Sequence, residues 1–412
     1  MRTEEPAQAE PTFPASQNSS VILFYDDVTI FGGHEKMACS LIEQFFRFTD
    51  HRIVFILSEE NHRLQKELES LRERYFERLS LVPVRFRSGA MPTLEMIWQL
   101  PQLLSLVRLF KRLNPAFAVI VQGNIELSVK GLVAARLAGV PSVSYLPYVF
   151  RFRDIPEIQL ATVRDLCNTL LYRIPHQFMV IADEYRKALV EKHAVPAATV
   201  HLMRNLLDTS QLQHYSKTDA RAQLGLPHTG LVIAVIGRIY FKQKGQDVAV
   251  EGLSSLLGSN LRLLVVGEGP DRQQLVQICA RRISEGSVVV KEWLENPSLA
   301  YCAADMILMP SLLEGVPLVL LEALYYGKMV VASDIPPFDE YLPTSHRFSP
   351  TDPDALRECV EQAVAHLGAE AVGVPPAASV TNQSDVNRQS ILNLVQVIDR
   401  RNGGRCSHVG SR

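Results

Sequence analysis

The chain has 412 residues, 47% of them apolar and 21% charged, enough for about two domains with buried cores. A net charge of −2 and a pI near 6.6 exclude the basic footprint of a nucleic-acid-binding protein. The six scattered cysteines form no C-x-x-C pair, which argues against a disulfide framework or a zinc site and for a reducing, cytoplasmic setting.

Residues 1–19 are rich in Pro, Glu and Gln without an apolar h-region, the composition of a disordered tail and not of a signal peptide. From residue 20, short apolar runs alternate with amphipathic stretches. "SVILFYD" (20–26) reads as a strand, "GGHEKMACSLIEQFFRF" as a glycine turn opening a helix, "HRIVFILS" (51–58) and "AFAVIVQG" (116–123) as strands. A helix follows at 127–138, then strands at 141–148 and 176–183. Asp26 and Asp27 read as the end of the first strand, and His34 is the histidine expected nearest a ligand.

The pattern restarts after "RNLLD" (204–208). Strands are expected at 229–239, 261–267, 287–294, 306–311 and 327–335, separated by helices, one of them in "EGVPLVLLEALYYG" (314–327). Buried strands alternating with helices mean parallel sheets covered on both faces, here as two Rossmann-like α/β domains in tandem. The expected boundaries are a domain at 20–203, a second at 204–366, a Pro/Gly/Ala-rich linker at 367–385, a helix at 386–403 packing back on the first domain, and a tail at 404–412. No apolar run approaches the length of a membrane span.

Open α/β sheets bind ligands outside the carboxyl ends of their strands, with a cleft expected between two such domains. The candidate residues all fall at such ends. Arg238, Lys244 and Gly245 follow one strand, Glu268-Gly269-Pro270 another, Glu314-Gly315 a third, and Gly32-Gly33 the first strand of the chain. Pro317 suits the first position of a helix and Gly327 the position past its end. Because that helix is apolar on nearly every side it should be buried, Glu322 with it. Its first amides offer an anion site for a diphosphate, and a carboxylate one turn deeper could accept the two ribose hydroxyls. The ordinary alternatives are a buried salt bridge for Glu322, a loop carboxylate for Glu314, and solvated cations for Arg238 and Lys244. No P-loop, complete G-x-G-x-x-G, G-x-S-x-G or His/Cys metal spacing is present.

"GR" (237–238), "QKGQD" (243–247), "VVGEGP" (265–270) and "MPSLLEGVPLVLLEALYYGKMVVASD" (309–334) together resemble the retaining glycosyltransferases of family 4, of the GT-B fold. The E-x7-E spacing of Glu314 and Glu322 is weak alone and strong in register with the other motifs. The resemblance implies that Glu314 contacts the donor sugar, Glu322 the ribose, and Arg238 and Lys244 the diphosphate. It further implies a backbone approach at Gly315, phosphate binding by the amides of Leu318 and Val319, a base site lined near Trp293, and a Gly32-Gly33 loop facing the diphosphate. The first domain would bind the acceptor. The stretch "PSVSYLPYVF" departs from the family in lacking a histidine.

The activity implied is retaining transfer of a sugar from a nucleotide diphosphate sugar to a glycan or lipid-linked acceptor in polysaccharide or glycolipid synthesis. No metal and no cofactor are implied, since cations stand where D-x-D carboxylates would hold an ion. The competing reading is a non-catalytic GT-B scaffold or nucleotide-sugar sensor in a glycan assembly complex. The stretch 96–115, apolar with a basic end, suits a core-facing helix first and peripheral docking at the inner face of a membrane second.

Overall fold

Val, Ile, Leu and Phe runs too short for helices form the strands of two parallel sheets, each in its own unit of the chain. The computed structural model describes residues 20–29, 33–86, 99–154, 160–367 and 383–401. One unit comprises the chain up to Arg204 together with the part from Ser384 onward, and the other comprises Asn205–Gln383.

The first unit holds β1 (Val21–Asp26), β2 (Arg52–Ser58), β3 (Leu79–Val84), β4 (Phe117–Val121), β5 (Ser142–Leu146), β6 (Gln177–Val180) and β7 (Val200–Leu202). Their order is β3-β2-β1-β4-β5-β6-β7, parallel at every pairing. Chain order reverses between β1 and β4, the position where open sheets leave a crevice at their carboxyl edge. The core is aromatic. Phe24 of β1 stacks on Phe55 of β2 with ring centroids 5.9 Å apart, and meets Phe45 edge-on at 5.8 Å. Phe45 belongs to α1 (Gly33–Phe48), which opens immediately after the glycine turn. Tyr25 is fully buried beside Gly131, where a Cβ would stand 2.2 Å from the tyrosine ring. That position tolerates only hydrogen.

The second unit holds β8 (Leu231–Ile236), β9 (Leu261–Val266), β10 (Val288–Lys291), β11 (Met306–Met309), β12 (Met329–Ser333) and β13 (Arg347–Phe348). The order β10-β9-β8-β11-β12-β13 reverses between β8 and β11. Arg221, 1% exposed, fastens the amino-terminal edge of this sheet. Its guanidinium donates to the carbonyls of Ala303, His228 and Gly230 at 3.0–3.1 Å and pairs with Asp305 at 2.7 Å. Asp305 also accepts the Val232 amide at 2.8 Å, so the buried charge is met from several sides.

Strands β3, β7 and β13 were absent from the pattern of apolar runs. β3 is only partly buried and carries the exposed Pro83, as an edge strand can, while β7 and β13 are three and two residues long. The helix of the second glutamate is Leu318–Tyr325, with Pro317 extended just before it rather than as its first residue, and Gly327 at φ 63° beyond.

Of the expected linker, 368–382 lies outside the described residues, as do the tails 1–19 and 404–412. The last helix, Gln383–Arg401, buries Ile391, Leu394, Val395 and Ile398. Its Asn387 donates to Gln44 Oε1 and to the Arg204 carbonyl, both at 2.7 Å, and accepts the Arg204 amide at 2.6 Å. Among the described residues no helix is long and apolar enough to cross a membrane.

His201 on β7 lies 2.8 Å from Gln177 Oε1 on β6, and burial lowers its pKa to about 4. A histidine with a folded pKa below its unfolded value contributes stability that is complete above the unfolded pKa and is lost as pH falls toward the folded one. Chemical denaturation of the wild type and a His201→Asn variant should therefore show a stability gap that shifts against the wild type by about 2 kcal/mol between about pH 7.5 and about pH 5. A gap independent of pH would show that His201 is not held neutral.

Candidate active site

The carboxyl edge of the second sheet gathers most of the candidate residues. β8 ends at Gly237, followed by Arg238, whose exposed guanidinium sits 5.9 Å from the Tyr240 ring centroid. A one-turn helix, Phe241–Lys244, then ends on Gly245 in the left-handed region at φ 61°. A Cβ on Gly245 would lie 2.1 Å from the Pro310 carbonyl oxygen. Only glycine allows both that φ and that approach, which presses the loop after β8 against the end of β11.

The approach brings Lys244 to Glu314. The Lys244 ammonium pairs with Glu314 Oε1, which also accepts the Ser311 hydroxyl at 2.8 Å. Glu314 is 3% exposed and Lys244 18%, so the pair is largely removed from water. Ser333 at the end of β12 donates in turn to the Ser311 carbonyl. The loops are cross-braced further. The Leu312 amide donates to the Gln243 carbonyl at 2.8 Å, the Ile239 amide to the Glu268 carbonyl at 2.8 Å, and the Phe241 amide to Asp271 at 2.7 Å. Gln246 donates to the Arg238 carbonyl at 2.8 Å, fixing the backbone from which that arginine projects.

Gly315 is buried directly after Glu314, and Asn205 donates to the Val316 carbonyl at 2.6 Å. Leu318 and Val319 open the helix, where backbone amides have no carbonyl one turn back and point outward. Glu322 departs from the sequence expectation in being only half-buried. Its helix is short, and one face of it looks outward. The Glu322 carboxylate accepts the hydroxyl of Tyr301, a fully buried residue that no sequence motif marks. Burial and the adjacent Glu322 push the Tyr301 hydroxyl well above its ordinary pKa, so it remains a donor. Tyr301 stacks on Tyr326 with centroids 5.3 Å apart and planes 9° from parallel. Trp293 follows the edge strand β10 and is 49% exposed.

In the first unit, Gly33 is the exposed first residue of α1, and Gly32 lies outside the described residues. Asp26 ends β1 and is fully buried. Burial lifts its carboxyl to about 7, with His34 opposing and Glu35 adding to the rise. Burial opposes charge on His34, yet Glu35 and Asp26 lift its imidazole above the ordinary value.

The comparisons agree with this layout. Residues 230–366 match the family model of Glycosyl transferases group 1. The UDP-Gal:alpha-D-GlcNAc-diphosphoundecaprenol alpha-1,3-galactosyltransferase of Escherichia coli is 23% identical over 260 residues, 60% of this chain and 66% of that enzyme. The D-inositol 3-phosphate glycosyltransferase 1 of Catenulispora acidiphila is 31% identical over 160 residues, 36% of this chain and 38% of that enzyme. The match thus spans just under two thirds of the first relative's length and well under half of the second's. Among solved structures, Anabaena HepE in complex with UDP and glucose superposes with a TM-score of 0.67 at 17% identity, covering 93% of this chain and 98% of that one. WaaG, a glycosyltransferase involved in lipopolysaccharide biosynthesis, gives 0.61 at 14% identity, covering 94% and 100%. The chain has the GT-B fold, two parallel-sheet Rossmann-like units, and its second unit carries the group 1 glycosyl transferase pattern.

Proposed function

We propose that the protein is a retaining glycosyltransferase that takes a sugar from a nucleotide diphosphate sugar and passes it to a glycan or lipid-linked acceptor. The buried Lys244–Glu314 pair at the β8/β11 switch point is the observation that carries this reading. A carboxylate and a cation held together out of water, beside Arg238 and a helix amino terminus, suit a leaving diphosphate and a cationic sugar carbon. Arg238 and Lys244 take up the charge that develops on the departing phosphate, and the amides of Leu318 and Val319 add to it. Glu314, restrained by Lys244 and Ser311, faces the reacting sugar.

In the reaction the bond from the anomeric carbon to the phosphate oxygen breaks. A bond from that carbon to the acceptor oxygen forms on the same face, and the acceptor's proton passes to the leaving phosphate oxygen. Glu322, oriented by Tyr301, accepts the ribose hydroxyls, Gly315 lets the donor approach the backbone, and Trp293 lines the base. Gly32-Gly33 would serve from the acceptor-binding unit. The names of the relatives support a glycan or lipid-linked acceptor, since one acts on a diphosphoundecaprenol-linked sugar. Work at the inner face of a membrane as a peripheral protein fits such an acceptor. The diphosphate charge is met by cations, so the reaction is proposed to need neither a metal nor a cofactor at that point.

Glu314→Gln should leave nucleoside diphosphate affinity nearly intact and lower kcat by about 100-fold or more, as removal of a stabilising group near the reacting carbon does. Unchanged kcat would remove Glu314 from the chemistry. Lys244→Met should lose most activity, without recovery on adding Mg²⁺, and should also cost about 3 kcal/mol or more by stranding a buried carboxylate. The double variant Lys244→Met/Glu314→Gln should regain much of that stability while staying inactive. Wild-type turnover should survive EDTA. Turnover abolished by EDTA and returned by Mn²⁺ would overturn the role given to the basic pair.

Glu322→Ala and Tyr301→Phe address the ribose. Each should weaken binding of a nucleoside diphosphate by about tenfold, the worth of one well-placed hydrogen bond to a charged group. Each should also narrow the preference for the ribo- over the 2′-deoxy-nucleotide in calorimetry. A preference unchanged in both variants would place the ribose elsewhere.

A further inference from the structure

The switch point of the first unit holds a group of side chains that the proposed transfer does not use. Asp26 at the end of β1, and His34 and Glu35 in the first turn of α1, each direct a ligand atom into one small volume, all within 4.8 Å of one another. His34 Nε2 lies 3.0 Å from Glu35 Oε1. The carboxylates of Asp26 and Glu35 are fully buried, whereas the His34 side chain is 15% exposed. The imidazole therefore forms the solvent side of the cluster. A Cβ on Gly123, just past β4, would stand 3.6 Å from the imidazole Nδ1 and Cε1, so the small residue there borders the ring.

The second observation is an orphan. Asp26 Oδ1 accepts the Val28 amide at 3.0 Å, but Oδ2 is buried with no hydrogen-bond partner among the described residues. The neighbouring Asp27 shows what satisfaction looks like at this sheet edge, with the Tyr25 hydroxyl at 3.0 Å and the Lys130 ammonium at 3.4 Å. Leaving a fully buried carboxylate oxygen unmet is costly, and a cation is the simplest group that meets it.

We propose that Asp26, His34 and Glu35 bind one divalent transition-metal ion of the zinc class. One imidazole nitrogen and two carboxylates make the borderline donor set that Zn²⁺ and Co²⁺ accept, and Mn²⁺ follows more weakly in the Irving–Williams order. Three protein ligands leave a coordination position for water on the exposed side. The ion would hold the end of β1 to the start of α1, across the connection that contains the glycine turn. Its ligands are different residues from those given to the diphosphate, so its removal lowers stability and leaves the charge neutralisation by Arg238 and Lys244 in place.

The full chain, stripped with chelator and desalted, is titrated with Zn²⁺ by calorimetry and with Co²⁺ by absorption. About one equivalent of Zn²⁺ should bind with a Kd in the micromolar range or tighter, and Tm should rise as the ion favours the native state. Co²⁺ should give visible ligand-field bands without the near-ultraviolet charge-transfer band of a thiolate, which separates this site from the buried cysteines. Asp26→Asn and His34→Gln should each weaken Zn²⁺ by about 100-fold or more, while His62→Gln, on an exposed helical position, changes nothing. No saturable binding, a thiolate band, or binding indifferent to both substitutions (an adventitious ion only) overturns the proposal. Should both variants fail to fold by circular dichroism, the wild-type Co²⁺ spectrum decides alone.

Discussion

The second unit turns on one contact, the pairing of Lys244 with Glu314. Two charges are withdrawn from water there, and neither would be tolerated singly. Their meeting requires the loop after β8 to lie against the end of β11, which requires Gly245 to touch the Pro310 carbonyl. The Ser311 hydroxyl adds a hydrogen bond to the carboxylate, and Ser333 in turn donates to the Ser311 backbone carbonyl. The backbone bonds between the loops after β8, β9 and β11 then follow from the same close approach. A small number of contacts thus fixes the positions of Arg238, Gly315 and the helix start together, as the proposed transfer would need.

Both units reach this result by the same topological device. Each sheet reverses its chain order once, at β1/β4 and at β8/β11, and each reversal opens a crevice at the carboxyl edge. In the second unit the crevice carries cations and a helix terminus. In the first it carries carboxylates and an imidazole. The opposite chemical character of the two crevices arises from the residues at the strand ends and in the segments that follow them, since the interiors of the strands are equally apolar.

Much of this was legible in the residues. Strands buried on both faces announce themselves as continuous apolar runs, and the two tandem parallel sheets follow from their alternation with helices, whereas the GT-B fold is implied only by the motif resemblance. Lys244, Gly245, Glu314 and Gly315 could be picked out because glycine and charge stand together at strand ends. Tyr301 could not. It sits inside "NPSLAYCAA", an ordinary apolar helix by pattern, and its hydroxyl becomes meaningful only when the fold brings Glu322 to it. Glu322 misled for the opposite reason, because an apolar neighbourhood in sequence suggested burial on all sides whereas the short helix leaves it half-open. By sequence Asp26 reads as a strand end and Glu35 as a helix residue. Their convergence depends on how β1 meets α1, and no spacing rule encodes that angle. β3 escaped because an edge strand is only partly buried, and β7 because it is three residues long.

The final helix has a consequence for how the protein is made. Asn387 fills hydrogen-bonding positions on Gln44 and Arg204, residues synthesised far earlier in the chain. During translation the first unit emerges complete in its sheet yet lacking this element, so the backbone at Arg204 and the side-chain oxygen of Gln44 must be met by water until the last helix arrives. The whole of the second unit is translated in that interval. Vectorial synthesis therefore cannot finish the two units in the order in which they begin, and the amino-terminal one is the last to close.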